Sequence, residues 1–351
     1  MANLRFNNAR SAGGNAAARL RHAQNCYLLA SGHIEDNNWD NARDLLLRAL
    51  AHHPAHADAL RALANLEFTV GDIPQARSYL DRLLMLPEPA DAETLFVQGN
   101  VELSEGNLTD ALAAYARSEK MAGSTPELEF NKGLAHLMLG HGEEATTIFT
   151  RLVEEQPSNA RAWDALGCAL RLDKHYDEAS AAFMQALTVA PDQNDTRDHM
   201  AQMLLEMGDP RRARLVLEAA LTIDAERAST RHLLGLTDAT AQDFPSAIAC
   251  WEELIARGGA LPETYHLLAN AYLRLNDRPH AIAVLQTLIA LVPNHLPGQL
   301  QLALLLLEQG EFTQGWRHLE QARAIDPQNP AVTQLVSVAN AMHPQRDSRD
   351  M

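Results

Sequence analysis

The densest group of metal-ligating side chains in the sequence is a run of three histidines, His52, His53 and His56. Imidazole nitrogens bind zinc and related metals, and a site generally needs three or four ligands. The sequence has no second ligand cluster at a matching spacing. We therefore expect no metal and no other cofactor. We interpret the run as the end of a helix, where a cation complements the helix dipole.

A second group of ionisable side chains recurs at intervals of 34, 35 and 34 residues: His33, Glu67, Glu102 and His136. This position of the repeat is normally apolar, as at Leu170. A buried polar group persists only where it is paired or hydrated. One interpretation is a seam of opposite charges that holds a metal ion or a charged side chain of a partner. The simpler interpretation is a slight rotation of the helix, which exposes these side chains to solvent.

Common catalytic motifs are missing from the sequence. It contains no phosphate-binding Gly-Lys-Ser/Thr loop, no Gly-x-Ser-x-Gly elbow and no His-Glu-x-x-His pair. The three cysteines, Cys26, Cys168 and Cys250, are odd in number and far apart, so they do not form a disulfide framework. No catalytic residue is assigned, and we expect a protein that is not an enzyme.

Composition and charge narrow the class further. Of the 351 residues, 46% are hydrophobic and only 5% aromatic, which favours closely packed helices over β-sheet. The net charge of −16 repels phosphate backbones, so we expect no nucleic-acid binding. The sequence has neither a run of about 18 apolar residues, as a membrane span needs, nor a secretory signal. We expect a cytoplasmic protein without integral membrane association.

The first 22 residues are basic, unlike the remainder of the chain. They contain no acidic residue and four arginines: Arg5, Arg10, Arg19 and Arg21. Such an N-terminal arm is compatible with a targeting peptide or with a docking segment for an acidic surface. The simplest interpretation is a partly disordered or helical lead-in, interrupted by Gly13 and Gly14.

A pattern of residues in the segment 160–193 recurs along the chain. Steps of 34 residues in both directions recover the arrangement of Trp163, Gly167, Ala179 and Phe183. The eighth and twentieth positions of each repeat are always small, as two helices need for a close approach. The twenty-fourth position is always large and apolar, and it fills the space that this approach leaves. Its occupants are Leu46, Leu80, Tyr115, Phe149, Phe183, Leu217, Trp251, Leu285 and Leu319.

Turn residues recur in the same phase as the apolar pattern. Glycine ends the first helix of five repeats, and proline stops the second helix of five. The glycines are Gly71, Gly106, Gly140, Gly208 and Gly310. The prolines are Pro54, Pro157, Pro191, Pro293 and Pro327.

This pattern resembles the tetratricopeptide repeat, in which each repeat is a pair of antiparallel helices, A and B. The resemblance implies an all-α, right-handed superhelical solenoid whose A helices line a concave groove. It covers nine repeats: 23–56, 57–91, 92–125, 126–159, 160–193, 194–227, 228–261, 262–295 and 296–329. Residues 330–342 are predicted to form a C-terminal capping helix, and residues 343–351 a disordered tail. No subfamily is assigned, because the carboxylate clamp and the asparagine ladder of known relatives are both incomplete.

The resemblance also implies that the groove binds an extended peptide or a helix of a partner protein, as in a scaffold or adaptor of bacterial style. Asn and Arg side chains can hydrogen-bond a peptide backbone, and nearby Phe side chains offer apolar pockets. Repeats two to four are therefore the preferred site. The candidate residues are Arg61, Asn65, Phe68, Phe96, Asn100, Phe130, Asn131, Asp164, Arg171, Asp198, His232, His266, Asn270 and Arg274. Two alternatives stay open: a self-assembling homo-oligomeric scaffold, and a non-catalytic accessory subunit that presents substrate to a separate enzyme.

Overall fold

Nineteen α-helices and no strand make up residues 2–342, the part of the chain that this computed structural model describes. Side chains are described for residues 17–341. The helices are α1 (Ala2–Glu35), α2 (Trp39–His52), α3 (Ala57–Val70), α4 (Ile73–Leu84), α5 (Ala92–Ser104), α6 (Leu108–Ala122), α7 (Pro126–Met138), α8 (Gly142–Glu155), α9 (Ala160–Leu172), α10 (Tyr176–Val189), α11 (Asn194–Glu206), α12 (Pro210–Ile223), α13 (Ala228–Thr240), α14 (Phe244–Ala256), α15 (Pro262–Arg274), α16 (Arg278–Leu291), α17 (Leu296–Glu308), α18 (Phe312–Ile325) and α19 (Pro330–Met342). Residues 2–22 of the basic arm belong to α1, and the predicted tail, 343–351, lies outside the described residues.

The chain divides into two compact units, Met1–Gln185 and Ala186–Met351. Within each unit, odd-numbered helices pack against the even-numbered helix that follows, as α3 does with α4 and α13 with α14. Even-numbered helices then pack against the next odd-numbered helix, and successive odd-numbered helices also touch, for example α3 with α5 and α11 with α13. Each unit is therefore a stack of helix hairpins, which confirms the predicted all-α repeat fold.

The eighth and twenty-fourth residues of a repeat lie on its two different helices and have complementary sizes. Four repeats combine Gly with an aromatic residue: Gly99 with Tyr115, Gly133 with Phe149, Gly167 with Phe183, and Gly235 with Trp251. The other five combine Ala with Leu, for example Ala64 with Leu80. A Cβ atom on Gly133 would lie 2.6 Å from Phe149 Cζ, so the ring occupies the volume of the missing side chain. The two positions are matched in size.

The turn between the two helices of a repeat places its fifteenth residue at a positive φ angle. Glycine, which has no Cβ to clash in this conformation, takes the position in five repeats: Gly71, Gly106, Gly140, Gly208 and Gly310. The other four repeats use Asn37, Lys174, Gln242 and Asn276, with φ between 54° and 63°. The prediction that the five glycines end a helix is therefore confirmed, and four repeats make the same turn with a residue that carries a side chain.

The column of ionisable residues that begins at His33 is not turned outward. Glu67 is only 4% exposed and Glu102 only 8%, so the expected exposure of these side chains is wrong for both glutamates. Each carboxylate instead pairs with an arginine from the second helix of the preceding repeat: Arg43 with Glu67, and Arg77 with Glu102. A buried carboxylate is stable here because a guanidinium donates to it.

The last described helix, α19, packs on α17 and α18 of the second unit. Leu335 and Ala339 of α19 are buried in one cluster with Leu307 and Leu319. α19 thus covers apolar side chains of the preceding hairpin. None of the described helices is both long and apolar enough to cross a lipid bilayer.

Candidate functional site

Four predicted groove residues meet in one cleft of the first unit, which we call the amide cleft. Phe68 lies on α3, Asn100 on α5, and Phe130 and Asn131 on α7, and all four line the same space because these odd-numbered helices are neighbours. The loop between α8 and α9 and Arg161 also line the cleft, and the other lining residues on α5 and α7 are Leu103, Ser104, Pro126, Glu127 and Leu134. The cleft has a volume of about 620 Å³, within the usual range for ligand sites.

An interlocked pair of amides forms the polar part of the amide cleft. The buried Asn100 accepts two hydrogen bonds on Oδ1, one from Tyr115 Oη at 2.8 Å and one from Asn131 Nδ2 at 2.8 Å. Asn100 Nδ2 and Asn131 Oδ1 make no hydrogen bond within the described residues. The pair therefore offers one donor and one acceptor, the two groups that a peptide unit needs.

Aromatic side chains form the apolar part of the amide cleft. Phe130 is half-buried and packs edge-on against Phe149, with ring centres 5.6 Å apart. The guanidinium of Arg161 lies 4.9 Å from the centre of the Phe130 ring, a cation–π distance. Phe68 packs on a neighbouring apolar cluster that includes Val97 and Val101. Both rings are held in place by packing, so the apolar wall exists before any ligand arrives.

Arg61 lies next to Asn65 on α3, but its guanidinium is already neutralised. Arg61 pairs with Asp58 at 2.8 Å, with Asp91 at 2.6 Å and with Glu93 at 3.1 Å. Asn65 is exposed on the same helix. Because three carboxylates surround one guanidinium, Arg61 is a poor anchor for the carboxylate of a ligand, and its predicted role as a groove donor is weakened.

Phe96 and Arg171 stay outside the two clefts described here. Phe96 packs against Tyr115, with ring centres 6.0 Å apart, and so supports the side chain that donates to Asn100. Arg171 and Asp164 are half-buried side chains of α9.

The second unit has a separate cleft of about 480 Å³ that contains the predicted Asp198 and His232. The buried Asp198 carboxylate accepts from Ser229 Oγ at 2.8 Å, from Thr230 Oγ1 at 2.8 Å and from Arg227 Nε at 3.2 Å. The acid is fully engaged by these donors, so its role is to join α11 to the start of α13.

His232 is a half-buried histidine that lines this second cleft. Its Nδ1 lies 3.0 Å from Thr264 Oγ1, and Leu254 and Leu261 line the wall. Burial lowers the pKa of His232 below its ordinary value of 6.5, although Glu263 opposes the shift. The imidazole is therefore neutral at pH 7, and the cleft is mainly apolar.

Three further predicted residues of the second unit lie outside its cleft. Asn270 Oδ1 accepts from Gln301 Nε2 at 2.5 Å, an amide pair between neighbouring repeats like Asn100 and Asn131. The exposed Arg274 lies 5.5 Å from the ring centre of Phe244. His266 is half-buried and its Nδ1 has no hydrogen-bond partner within the described residues.

The histidine run lies at the end of α2, as expected, and His56 begins the next helix. His56 Nδ1 accepts from the Ala59 amide at 3.3 Å, which leaves the ring proton on Nε2 to donate to Gln24 Oε1 at 3.2 Å. Both ring nitrogens are engaged, so His56 is a helix cap.

Sequence reasoning missed the arginines that pair with the acids at the eleventh position of the repeat. Arg43, Arg77 and Arg214 all occupy the twenty-first position of a repeat, and each pairs with an acid at the eleventh position of the next repeat. The signal was present in the sequence, because an acid at the eleventh position is always preceded 24 or 25 residues earlier by an arginine. This spacing is visible only when each repeat is compared with the next, because the family pattern specifies only the apolar and small positions within one repeat.

Three family profiles match different parts of the chain. The family described as Cytochrome c-type biogenesis protein H TPR domain matches residues 145–260. Two families described as Tetratricopeptide repeat match residues 33–95 and 266–330. All three describe tetratricopeptide repeats, and together they match most of the predicted repeat region but not residues 96–144.

One curated relative and two solved structures illustrate the similarity. Cytochrome c-type biogenesis protein CycH of Pseudomonas aeruginosa is 28% identical over 117 residues, which is 32% of this chain and 29% of that protein. A tetratricopeptide repeat protein from Parabacteroides merdae superposes with a TM-score of 0.58 and 17% identity over 72% of this chain and 99% of its own. PilW, a type IV pilus biogenesis factor, gives a TM-score of 0.52 and 17% identity over 60% of this chain and 98% of its own. At these identities, the two structures support the fold alone.

Proposed function

We propose, from the premise that the chain is a tetratricopeptide-repeat protein, that it binds an extended segment of a partner protein in the amide cleft of its first unit. The observation that carries this proposal is the amide pair of Asn100 and Asn131. A peptide carbonyl would accept from Asn100 Nδ2, and a peptide N–H would donate to Asn131 Oδ1. Apolar side chains of the segment would pack on Phe68 and Phe130.

Preorganisation favours this cleft as a binding site. Asn100 is oriented by Tyr115 before a ligand arrives, and Phe130 is held by Phe149 and Arg161. A fixed donor and acceptor lose little conformational entropy on binding, so even a few contacts give useful affinity. The proposed hydrogen bonds are to the peptide backbone and so do not depend on the side chains of the peptide. Such binding suits an adaptor or scaffold. The proposal assigns no catalytic step to the chain.

A peptide-selection experiment tests the proposal. Peptides selected from a random library on the full chain are measured by calorimetry against wild type, Asn131→Leu and a matched control, Asn270→Leu in the amide pair of the second unit. We expect Asn131→Leu to weaken binding by roughly tenfold, as loss of one or two hydrogen bonds predicts. Asn270→Leu should bind like wild type. Unchanged peptide affinity in Asn131→Leu would exclude the amide cleft as the binding site. Loss of affinity in Asn270→Leu alone would instead indicate a site in the second unit.

A second candidate function is an accessory role in the biogenesis of c-type cytochromes. It rests on the match of residues 145–260 to the cytochrome c biogenesis family and on the similarity to CycH. The match spans less than a third of that relative, so it supports a shared type of repeat more strongly than a shared task. Calorimetry with a c-type cytochrome polypeptide before and after haem attachment tests it. Absence of binding to both forms would reject this role.

A further inference from the structure

The first helix, α1, has an apolar face that no other described part of the first unit covers. In the next repeat, the seventh residue is Leu63, which is fully buried because α2 of the preceding repeat packs against α3. The seventh residue of the first repeat is Leu29, and it is 63% exposed. Its neighbour Leu28 is 59% exposed. Both leucines expose apolar surface to solvent, at adjacent positions that are about 100° apart around the helix axis.

The chain ahead of these leucines does not return to cover them. α1 is one continuous helix from Ala2 to Glu35, so the residues before Leu28 follow the helix axis. A helix rises about 1.5 Å per residue, which makes this helix more than twice as long as the 14-residue α2 that packs on it. The helical residues before Leu28 therefore do not fold back over this face.

Charges on this face are arranged so that it complements itself. Arg21, Leu28 and Glu35 are seven residues apart, so they lie on one side of the helix, and all three are exposed. Neither Arg21 nor Glu35 forms an ion pair within the described residues. Gly32, between the leucine and the acid, has open space beside its Cα. One end of the face is basic, Leu28 lies at its centre and the other end is acidic.

We propose that this face of α1 is a dimerisation surface whose occupant is α1 of a second copy of the chain, in antiparallel orientation. With Leu28 on the two-fold axis, Arg21 of each copy faces Glu35 of the other, because each lies seven residues from the axis. A two-fold interface repeats each contact, so one matched pair on the sequence gives two in the dimer. Gly32 allows the helix backbones to approach closely. This surface is separate from the amide cleft, and the two proposals stand or fall independently.

Sedimentation of the full chain over a range of concentrations tests the dimer. We expect a reversible monomer–dimer equilibrium, which Leu28→Lys abolishes because it places two like charges at the axis. Leu215→Lys is the matched control: Leu215 is 66% exposed on α12, and its substitution should leave the equilibrium unchanged. A wild type that stays monomeric at millimolar concentration, or a dimer unaffected by Leu28→Lys, would overturn the proposal.

Charge exchange tests the antiparallel register. Arg21→Glu and Glu35→Arg should each raise the dissociation constant by about tenfold, because each change places like charges opposite one another twice. The double variant Arg21→Glu/Glu35→Arg restores opposite charges and should return the constant to within about threefold of wild type. Both substitutions are on exposed sites, and circular dichroism checks that all three variants fold. A double variant whose dimer dissociation constant is as high as those of the single variants would refute the antiparallel register.

Discussion

Arg43 of α2 and Glu67 of α3 form a two-bonded ion pair that joins consecutive repeats. The Nε–Oε1 distance is 2.7 Å, and the Nη2–Oε2 distance is 2.9 Å. The carboxylate side chain is 5% exposed and the guanidinium side chain 32%, so the pair is shielded mainly on the acid side. The carboxylate raises the pKa of Arg43, which keeps the arginine charged. The pair replaces an apolar contact that other repeats use at the same place.

Removal of the arginine should destabilise the first unit. Arg43→Met leaves the buried Glu67 carboxylate without a cation, and we expect the free energy of unfolding to fall by about 2 kcal/mol. This is less than the 3–5 kcal/mol typical of fully buried pairs, because the guanidinium is partly exposed. Urea unfolding followed by circular dichroism measures the change.

The double variant Arg43→Ile/Glu67→Leu is the control for that prediction. The chain already uses this apolar combination at Ile282 and Leu306. An apolar pair of similar volume is often as stable as a buried ion pair. We expect the double variant to lie within about 1 kcal/mol of wild type. A double variant less stable than Arg43→Met would contradict this account.

The matched sizes of the eighth and twenty-fourth residues predict that a larger residue at the eighth position destabilises the repeat. Gly133→Ala should favour the helix by about 1 kcal/mol, yet its Cβ would lie 2.6 Å from Phe149 Cζ. We expect the clash to dominate and to lower the free energy of unfolding by about 1–3 kcal/mol. Adding Phe149→Leu recreates the Ala–Leu combination of the other repeats and should recover part of the loss. Thermal unfolding of both variants measures this, and a stabilised Gly133→Ala would show that the ring moves aside freely.

Buried histidines make stability fall under mildly acidic conditions. Burial lowers the pKa of His56 below 6.5, and it also lowers the pKa of His136, whose Nδ1 has no partner within the described residues. As the pH falls through 6.5, the unfolded chain takes up protons before the folded chain does, so unfolding becomes more favourable. We expect the melting temperature to be constant above pH 7 and to fall between pH 6.5 and 5.

His56→Asn isolates the contribution of the helix cap. Asparagine can cap α3 as His56 does, but it does not titrate. The variant should be about as stable as wild type at pH 7.5 and should lose less stability on acidification. An equal loss at pH 5 in both proteins would mean that His56 is not one of the groups responsible.

Tyr115 links the core of a repeat to the amide cleft. Tyr115→Phe removes the hydroxyl that donates to Asn100 and leaves one acceptor site of that buried amide unfilled. We expect the free energy of unfolding to fall by about 1 kcal/mol. Peptide affinity should fall as well, because Asn100 is then oriented by Asn131 alone. Calorimetry with the selected peptides measures the affinity. A less stable protein with unchanged affinity would show that the Tyr115 hydroxyl contributes to stability but not to peptide binding.

Much of the fold can be predicted from the spacing of residues, because the same small, large and turn-forming positions recur in nine repeats. Small residues at the eighth and twentieth positions allow two helices to approach, and glycine or proline ends them. Part of the amide cleft could be predicted in the same way. Phe68, Asn100, Phe130 and Asn131 occupy positions that the resemblance assigns to the groove, and the structure places them around one space.

The sequence by itself therefore determined the helix hairpins and their order, and it predicted the face that we propose as the binding face. Tertiary structure decided which side chains on that face are free. Arg61 and Asn131 look equally available in the sequence, but Arg61 is surrounded by three carboxylates and Asn131 keeps an unpaired oxygen. The physical reason is that helix formation depends on neighbours along the chain, whereas pairing of polar groups depends on residues that packing brings from other helices.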